Sequence, residues 1–182
     1  MNLEERCLTS ETIYDGCLLH VRKDDILLPD GGTSVREYIK LGHAVCMVPL
    51  TDDDEVLMER QYRYAVGQVI REIPAGKIDD PAEDPLEAAK RELREETGAE
   101  AAQWYDLGVF LPAVAYCTET IHMYACKGLT FGERELDEGE FIDVYRMPLE
   151  ELVDEILAGK LVDSKTQAAI LRIWAMRQKG LL

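Results

Sequence analysis

Cysteine pairs are missing from this chain: Cys7, Cys17, Cys46, Cys117 and Cys126 are odd in number, widely spaced and never in a C-x-x-C arrangement. That argues against a zinc site or a disulfide framework and for a reducing setting, so a cytoplasmic protein is expected. Basic charge is scarce as well. With 20 Lys and Arg against 36 Asp and Glu the formal net charge is −16, which excludes a general affinity for nucleic acid or for anionic membrane surfaces. No apolar run reaches the length needed to cross a bilayer, and the opening MNLEERCLTS lacks the basic-then-apolar order of a leader. The histidines, His20, His43 and His122, show no ligand spacing and read as structural or solvated. Internal repeats and low-complexity tracts are absent too. Acidity does not exclude a small phosphorylated ligand, because divalent cations can neutralise it locally and an acidic chain is a natural host for them.

What is present is enough for a globular fold: 182 residues, 47% of them hydrophobic, bury a substantial core without splitting it. The first third reads as successive strands: CLLHVRKDDILLP, the turn-former DGG at 30–32, TSVREYIK, HAVCMVPL, the acidic turn TDDDE, and VLMERQYR. Val45, Met47 and Leu50 suit a buried central strand, whereas Arg36 to Lys40 alternates like a half-exposed one. Further strands are expected at WYDLGVFL, ETIHMYACKG and FIDVYRM, then helices near 148–158 and 163–178. This order predicts an α+β fold, with an N-terminal antiparallel part over 1–42 and the main domain over 43–182. The acidic linker TFGERELDEGE should be a surface loop able to reach across to another element.

Between these elements lies DDPAEDPLEAAKRELREETG, where Asp84 can cap a helix, Pro85 suits its first position, Glu87 completes a capping box and Gly98 ends it. Leu86, Ala89, Leu93 and Thr97 form the packing stripe, and Glu92, Glu95 and Glu96 lie along one flank of it. Like charges three or four apart cost roughly 0.2–0.5 kcal/mol per pair, so something must offset the repulsion. Pairing with Arg91 and Arg94 on a solvated face would do so. A bound Mg²⁺ would do so equally, since hard carboxylate oxygens on a rigid helix are what that ion prefers. Spacing alone leaves both open.

The stretch from Gly76 to Ala99, GKIDDPAEDPLEAAKRELREETGA, resembles the signature box of the Nudix hydrolases. Gly76, Glu83, Arg91, Glu92, Leu93, Glu95, Glu96, Gly98 and Ala99 supply the required residue types in order, with one extra residue between Gly76 and Glu83. The likeness extends over nearly the whole chain, because YDG, LPDGG, VREYIK, VLMERQYR, REIPAGK and DEGEFIDV are similar to the ADP-ribose pyrophosphatase branch. It implies an α/β/α sandwich of mixed sheet and helices, an N-terminal antiparallel sheet that serves homodimerisation, and Mg²⁺, with Mn²⁺ as a substitute. By the same likeness Glu92, Glu95 and Glu96 bind metal with the backbone carbonyl of Ala75. Glu138 accepts the proton of the attacking water, and Glu140 is a metal ligand or second base. Arg91 orients the glutamates by holding Glu83 and Glu95. Arg63, Arg71 with Glu72, and Arg36 face the substrate, with Tyr62, Tyr64 and Trp104 available to stack on a base.

One segment departs from that branch. LPAVAYCTET, Leu111 to Thr120, keeps Pro112 and Glu119 but has Val114 and Ala115 where the branch carries a Pro-Gly element, a change that reshapes the loop on the nucleoside side of the substrate. The expected ligand is therefore a nucleoside diphosphate derivative, ADP-ribose first and other nucleotide sugars second. A module that senses such nucleotides without hydrolysing them is the alternative.

Overall fold

The computed structural model describes residues 2–181. The chain divides into two compact units, one ending at Gly42 and including Leu111–Thr120, the other formed by His43–Phe110 with the segment from Ile121 onward.

The first unit is a three-stranded antiparallel sheet of β1 (Arg6–Asp15), β2 (His20–Leu27) and β3 (Thr33–Ile39), in that order. Sequence pattern missed β1, because RCLTSETIYD has no half-buried alternation: every one of its residues is exposed. Two register shifts, between Cys7 and Thr9 and between Thr12 and Tyr14, mark irregularities in its pairing with β2. The 111–120 segment belongs with this sheet rather than with the rest of the chain. Ile39 N–H donates to the Tyr116 carbonyl (2.8 Å), Thr118 N–H to the Ile39 carbonyl (3.1 Å), and the Thr118 hydroxyl to the Leu41 carbonyl (2.7 Å).

The second unit is an α/β/α arrangement of the α+β class. Its strands are β4 (His43–Pro49), β5 (Glu55–Arg63), β6 (Gln68–Glu72), β7 (Ala75–Lys77), β8 (Ala99–Phe110), β9 (Thr120–Phe131) and β10 (Ile142–Pro148); its helices are α1 (Pro85–Thr97), α2 (Leu149–Leu157) and α3 (Ser164–Gln178). One sheet runs β7-β4-β9-β8 and another β10-β5-β6. β4 is the centre. Val45 and Met47 pack with Leu57, Ala89 and Leu93 on the α1 side, while Cys46 and Val48 pack with Leu152, Ile170 and Ile173 on the side of α2 and α3. A strand buried on both faces reads as a continuous apolar run rather than an alternating one, as VCMV does.

Helix α1 begins and ends where its sequence dictates. The Asp84 carboxylate accepts from Leu86 N–H (2.9 Å) and Glu87 N–H (3.3 Å), and Gly98 takes the left-handed conformation (φ 70°) that closes the last turn. Glu87 does not complete a capping box; its carboxylate bonds Lys90 at 2.7 Å instead. At α3 the Asp163 cap accepts from Thr166 N–H (2.9 Å) and its hydroxyl (2.6 Å). The buried Thr166 hydroxyl in turn accepts from Ile73 N–H (2.9 Å), fastening the helix start to the link between β6 and β7. Among the described residues no helix is long and apolar enough to cross a membrane.

Candidate active site

The acidic flank of α1 faces the backbone of β7. Ala75 N–H donates to Glu96 Oε2 at 3.0 Å. Beside it Gly76 approaches so closely that a Cβ built there would lie 1.9 Å from Glu92 Cδ. Only the absence of a side chain lets Glu92 stand against this backbone. Gly76→Ala should displace the Glu92 carboxylate. The expected outcome is Mn²⁺ binding, measured by calorimetry, weakened by about 10–100-fold with unchanged helix content.

Arg91 is the hub of the flank. Its Nε and Nη2 donate to the two oxygens of Glu83 (3.1 and 3.3 Å), its Nη1 to Glu92 Oε1 (2.8 Å) and Glu95 Oε2 (2.9 Å), and Nη2 also reaches the Lys77 carbonyl (3.2 Å). The extra residue before Glu83 is absorbed in a turn: Ala82 N–H bonds Asp80 Oδ1 (2.9 Å) and Glu83 N–H bonds the Asp80 carbonyl (2.9 Å), so Glu83 still meets Arg91. The hydrogen bond from Arg91 to Glu83, helped by Glu92 and Glu95, outweighs burial and raises the guanidinium pKa, so this charge is permanent.

Two carboxyls are buried within the cluster. Glu96 is 5% exposed and its pKa is pushed up by burial and by the charges of Glu59, Glu92 and Glu140, against the Ala75 N–H bond that lowers it. Glu59, 3% exposed, is pushed up by burial, Glu72 and Glu140, with Lys165 and Arg63 opposing. Among the described residues Glu59 Oε1 has no hydrogen-bond partner. Burial also raises Glu92, partly countered by Arg91.

Nothing in the motif pointed to Glu59. The available signal lay in strand parity: Leu57 and Glu59 share a face of β5, Leu57 packs on the α1 side, and so Glu59 is carried toward Glu96. Antiparallel register also sets Glu59 directly opposite Glu72 on β6, a pairing of like charges that is unfavourable unless cations intervene. Arg63 Nε donates to Glu72 Oε1 (2.7 Å) and Lys165 to Glu72 Oε2. Lys165, at the start of α3, was likewise not foreseen.

The loop between β9 and β10 lies across the end of α1. Gly132 N–H donates to the Gly98 carbonyl (2.7 Å) and Glu135 N–H to the Glu95 carbonyl (3.1 Å). This fulfils the expectation that the acidic linker reaches another element. Of its two candidate residues Glu138 is exposed, whereas the half-buried Glu140 adds its charge to Glu59, Glu92 and Glu96.

Other sequence-selected residues are placed differently. Arg71 sits opposite Arg60 in the register of β6 and β5 and pairs with Glu155 of α2 at 2.7 Å, so the structure does not bring it together with the carboxylates. Glu72 is 2% exposed and both its oxygens are taken by cations, which makes it a buried anchor rather than a free acceptor. Arg36 bonds Glu5 within the N-terminal sheet (Nε to Oε2, 3.0 Å). Trp104 packs edge-on against Tyr124 with ring centres 6.1 Å apart, while Tyr62 and Tyr64 are exposed.

The donor set fits a divalent cation. An orphaned buried carboxylate oxygen, carboxyls raised by burial and then by mutual repulsion, and a backbone cradle only glycine allows all favour positive charge at this place. Among the described residues no three His, Cys, Asp or Glu side chains already form a finished cage. Mg²⁺ does not require one, because it keeps several waters and takes one or two carboxylates together with substrate phosphates.

Comparison with known proteins agrees with this geometry. The profile of the NUDIX domain matches residues 40–168, and that of the nucleoside diphosphate sugar hydrolase N-terminal domain matches residues 5–39. The chain is 38% identical over 169 residues to the methanol dehydrogenase activator of Bacillus methanolicus, covering 92% of this chain and 91% of that one. It is 34% identical over 171 residues to the ADP-ribose pyrophosphatase of Bacillus subtilis (strain 168), covering 93% and 92%. A solved structure of an ADP compounds hydrolase superimposes over the full length of both chains with a TM-score of 0.88 at 25% identity.

Proposed function

The chain belongs to the Nudix family and is a pyrophosphatase of that family, and from this premise we propose that it hydrolyses the diphosphate linkage of ADP-ribose or a related nucleoside diphosphate sugar, releasing a nucleoside monophosphate and a sugar phosphate. The observation that carries the reading is the convergence of Glu92 and Glu96 on the Ala75–Gly76 backbone, with Glu59 buried beside them.

In this reading Glu92, Glu95, Glu96 and the Ala75 carbonyl would hold Mg²⁺, for which Mn²⁺ would substitute. When bound, a divalent ion neutralises diphosphate charge and acidifies water. The protein residues do the rest. Arg91 keeps Glu92 and Glu95 in place through its contacts with both and with Glu83. Arg63, anchored at Nε by Glu72, presents the rest of its guanidinium to a phosphate oxygen. The loop carboxylate Glu140 takes the proton of the attacking water as the P–O–P bond opens, and phosphate leaves without a dedicated acid because it is a weak base.

Glu140 is preferred over Glu138 because it is half-buried and its charge acts on the buried carboxyls, whereas Glu138 is exposed. Accordingly, Glu140→Gln should lower kcat by about 10²–10⁴-fold and Glu138→Gln by less than about threefold, at saturating Mg²⁺. The reverse order would move the base to Glu138. The broader reading is tested by incubating the protein and Mg²⁺ with ADP-ribose, sugar nucleotides and dinucleotides. Release of nucleoside monophosphate is expected. Intact ligand across the panel would overturn hydrolysis, and tight binding of that intact ligand would favour a sensing module.

The N-terminal sheet is assigned to homodimerisation, supported by the exposure of Leu8, Ile13 and Tyr14 on β1. A cytoplasmic location is supported by the five cysteines, all of which are free thiols.

A further inference from the structure

Lys165 is an unusual residue for its position: a lysine with a side chain only 12% exposed, used by no step described above. Its ammonium meets Glu72 Oε2 and, at 3.2 Å, Asp163 Oδ1. Asp163 Oδ2 accepts from Thr166, whose hydroxyl accepts from Ile73 N–H, and Ile73 follows Glu72 in the chain. These contacts close a ring, Glu72 to Lys165 to Asp163 to Thr166 to Ile73, that fixes the ammonium at one place despite its flexible stem.

The ring has one open end. Glu72 Oε1 accepts from Arg63 Nε at 2.7 Å, and among the described residues the remaining guanidinium nitrogens of Arg63 make no hydrogen bond. The Arg63 side chain is 44% exposed, and the charge of Glu96 acts on it as well. The four charges of Arg63, Lys165, Glu72 and Asp163 balance. Orientation, rather than added charge, is therefore what Lys165 contributes.

We propose that Lys165 is a positioning residue for substrate binding: by occupying Glu72 Oε2 it limits Arg63 to a single contact through Nε and leaves the rest of the guanidinium facing the diphosphate. The assignment rests on the functional reading above. Without Lys165 a buried Glu72 oxygen is left unpaired, and the favoured repair is a two-pronged Arg63–Glu72 fork. That fork draws the guanidinium inward and away from the ligand.

The test is a mutant cycle on the full chain with Mg²⁺ and whichever nucleoside diphosphate sugar the wild type cleaves. Lys165→Met should raise KM about tenfold with kcat within about threefold, and Lys165→Arg should restore most of the loss. Glu72→Gln, which keeps the shape of the anchor but leaves one acceptor oxygen for two cations, should also raise KM, by freeing Arg63 rather than drawing it inward, and serves if K165M fails to fold. Arg63→Ala should raise KM at least as much, and adding K165M to R63A should change KM by less than about twofold, because the lysine acts through the arginine. Mn²⁺ affinity of K165M, measured by calorimetry without nucleotide, should match the wild type. An unchanged KM in K165M and E72Q, losses that multiply in the double variant, or Mn²⁺ affinity that falls in step with KM would each overturn the proposal. A wild type that cleaves no substrate in the panel defeats the functional reading instead. The same cycle is then read on the Kd for ADP-ribose by calorimetry, where multiplying losses, or no binding by the wild type, overturn the positioning role.

Discussion

Glu96→Gln should lose about a thousandfold in kcat while its circular dichroism spectrum matches the wild type. The fold should survive because an amide oxygen can still accept from Ala75 N–H, the one side-chain hydrogen bond that Glu96 makes among the described residues. Turnover is expected to fail because, on the proposed reading, a charged ligand on a rigid helix is gone from the place where the diphosphate charge must be countered; about 4 kcal/mol of transition-state stabilisation corresponds to that factor. Residual activity above a tenth of wild type would show that Glu96 holds no ion essential to the reaction.

The second large effect concerns stability. Glu59 and Glu96 both have folded pKa values raised above the ordinary 4.5, chiefly by burial. Between 4.5 and those raised values the folded chain binds more protons than the unfolded chain, so stability falls as pH rises. Protein stripped of divalent ions with a chelator should therefore lose melting temperature from about pH 5.5 to about pH 8.5, by about 2–4 °C for every kcal/mol involved. Saturating Mg²⁺ should flatten that slope, because a bound cation favours the ionised carboxyls and stabilises only the folded form. E96Q should show a shallower slope than the wild type without metal. A melting temperature that rises with pH in the chelated protein would contradict the shared burial of these two carboxyls.

The helix bearing the acidic cluster was legible because each of its signals is local: an Asp-Pro start, a glycine stop and a short apolar stripe. Glu92, Glu95, Glu96 and Arg91 came with it, since their juxtaposition requires only helical periodicity. Glu59, Lys165 and the idle orientation of Arg71 were not legible for the opposite reason. Glu59 reaches Glu96 from another strand, Lys165 reaches Glu72 across 93 positions of sequence, and Arg71 turns to α2 because pleat parity separates it from Glu72. Contacts of that kind are set by how layers pack. β1 escaped for a third reason: a strand exposed along its whole length carries no alternation to detect.

Among the described residues the hydrogen bonds that tie the stretch carrying Glu140 to the end of α1 run between main-chain groups, Gly132 to Gly98 and Glu135 to Glu95. Such ties are indifferent to side-chain identity, so residues 133 and 135–137 can change through mutation without loosening them, whereas Arg134, which donates to the Ile142 carbonyl (3.3 Å), helps fix the path that delivers Glu140. Substitutions at those four positions should therefore leave the contact between the loop and the end of α1 intact.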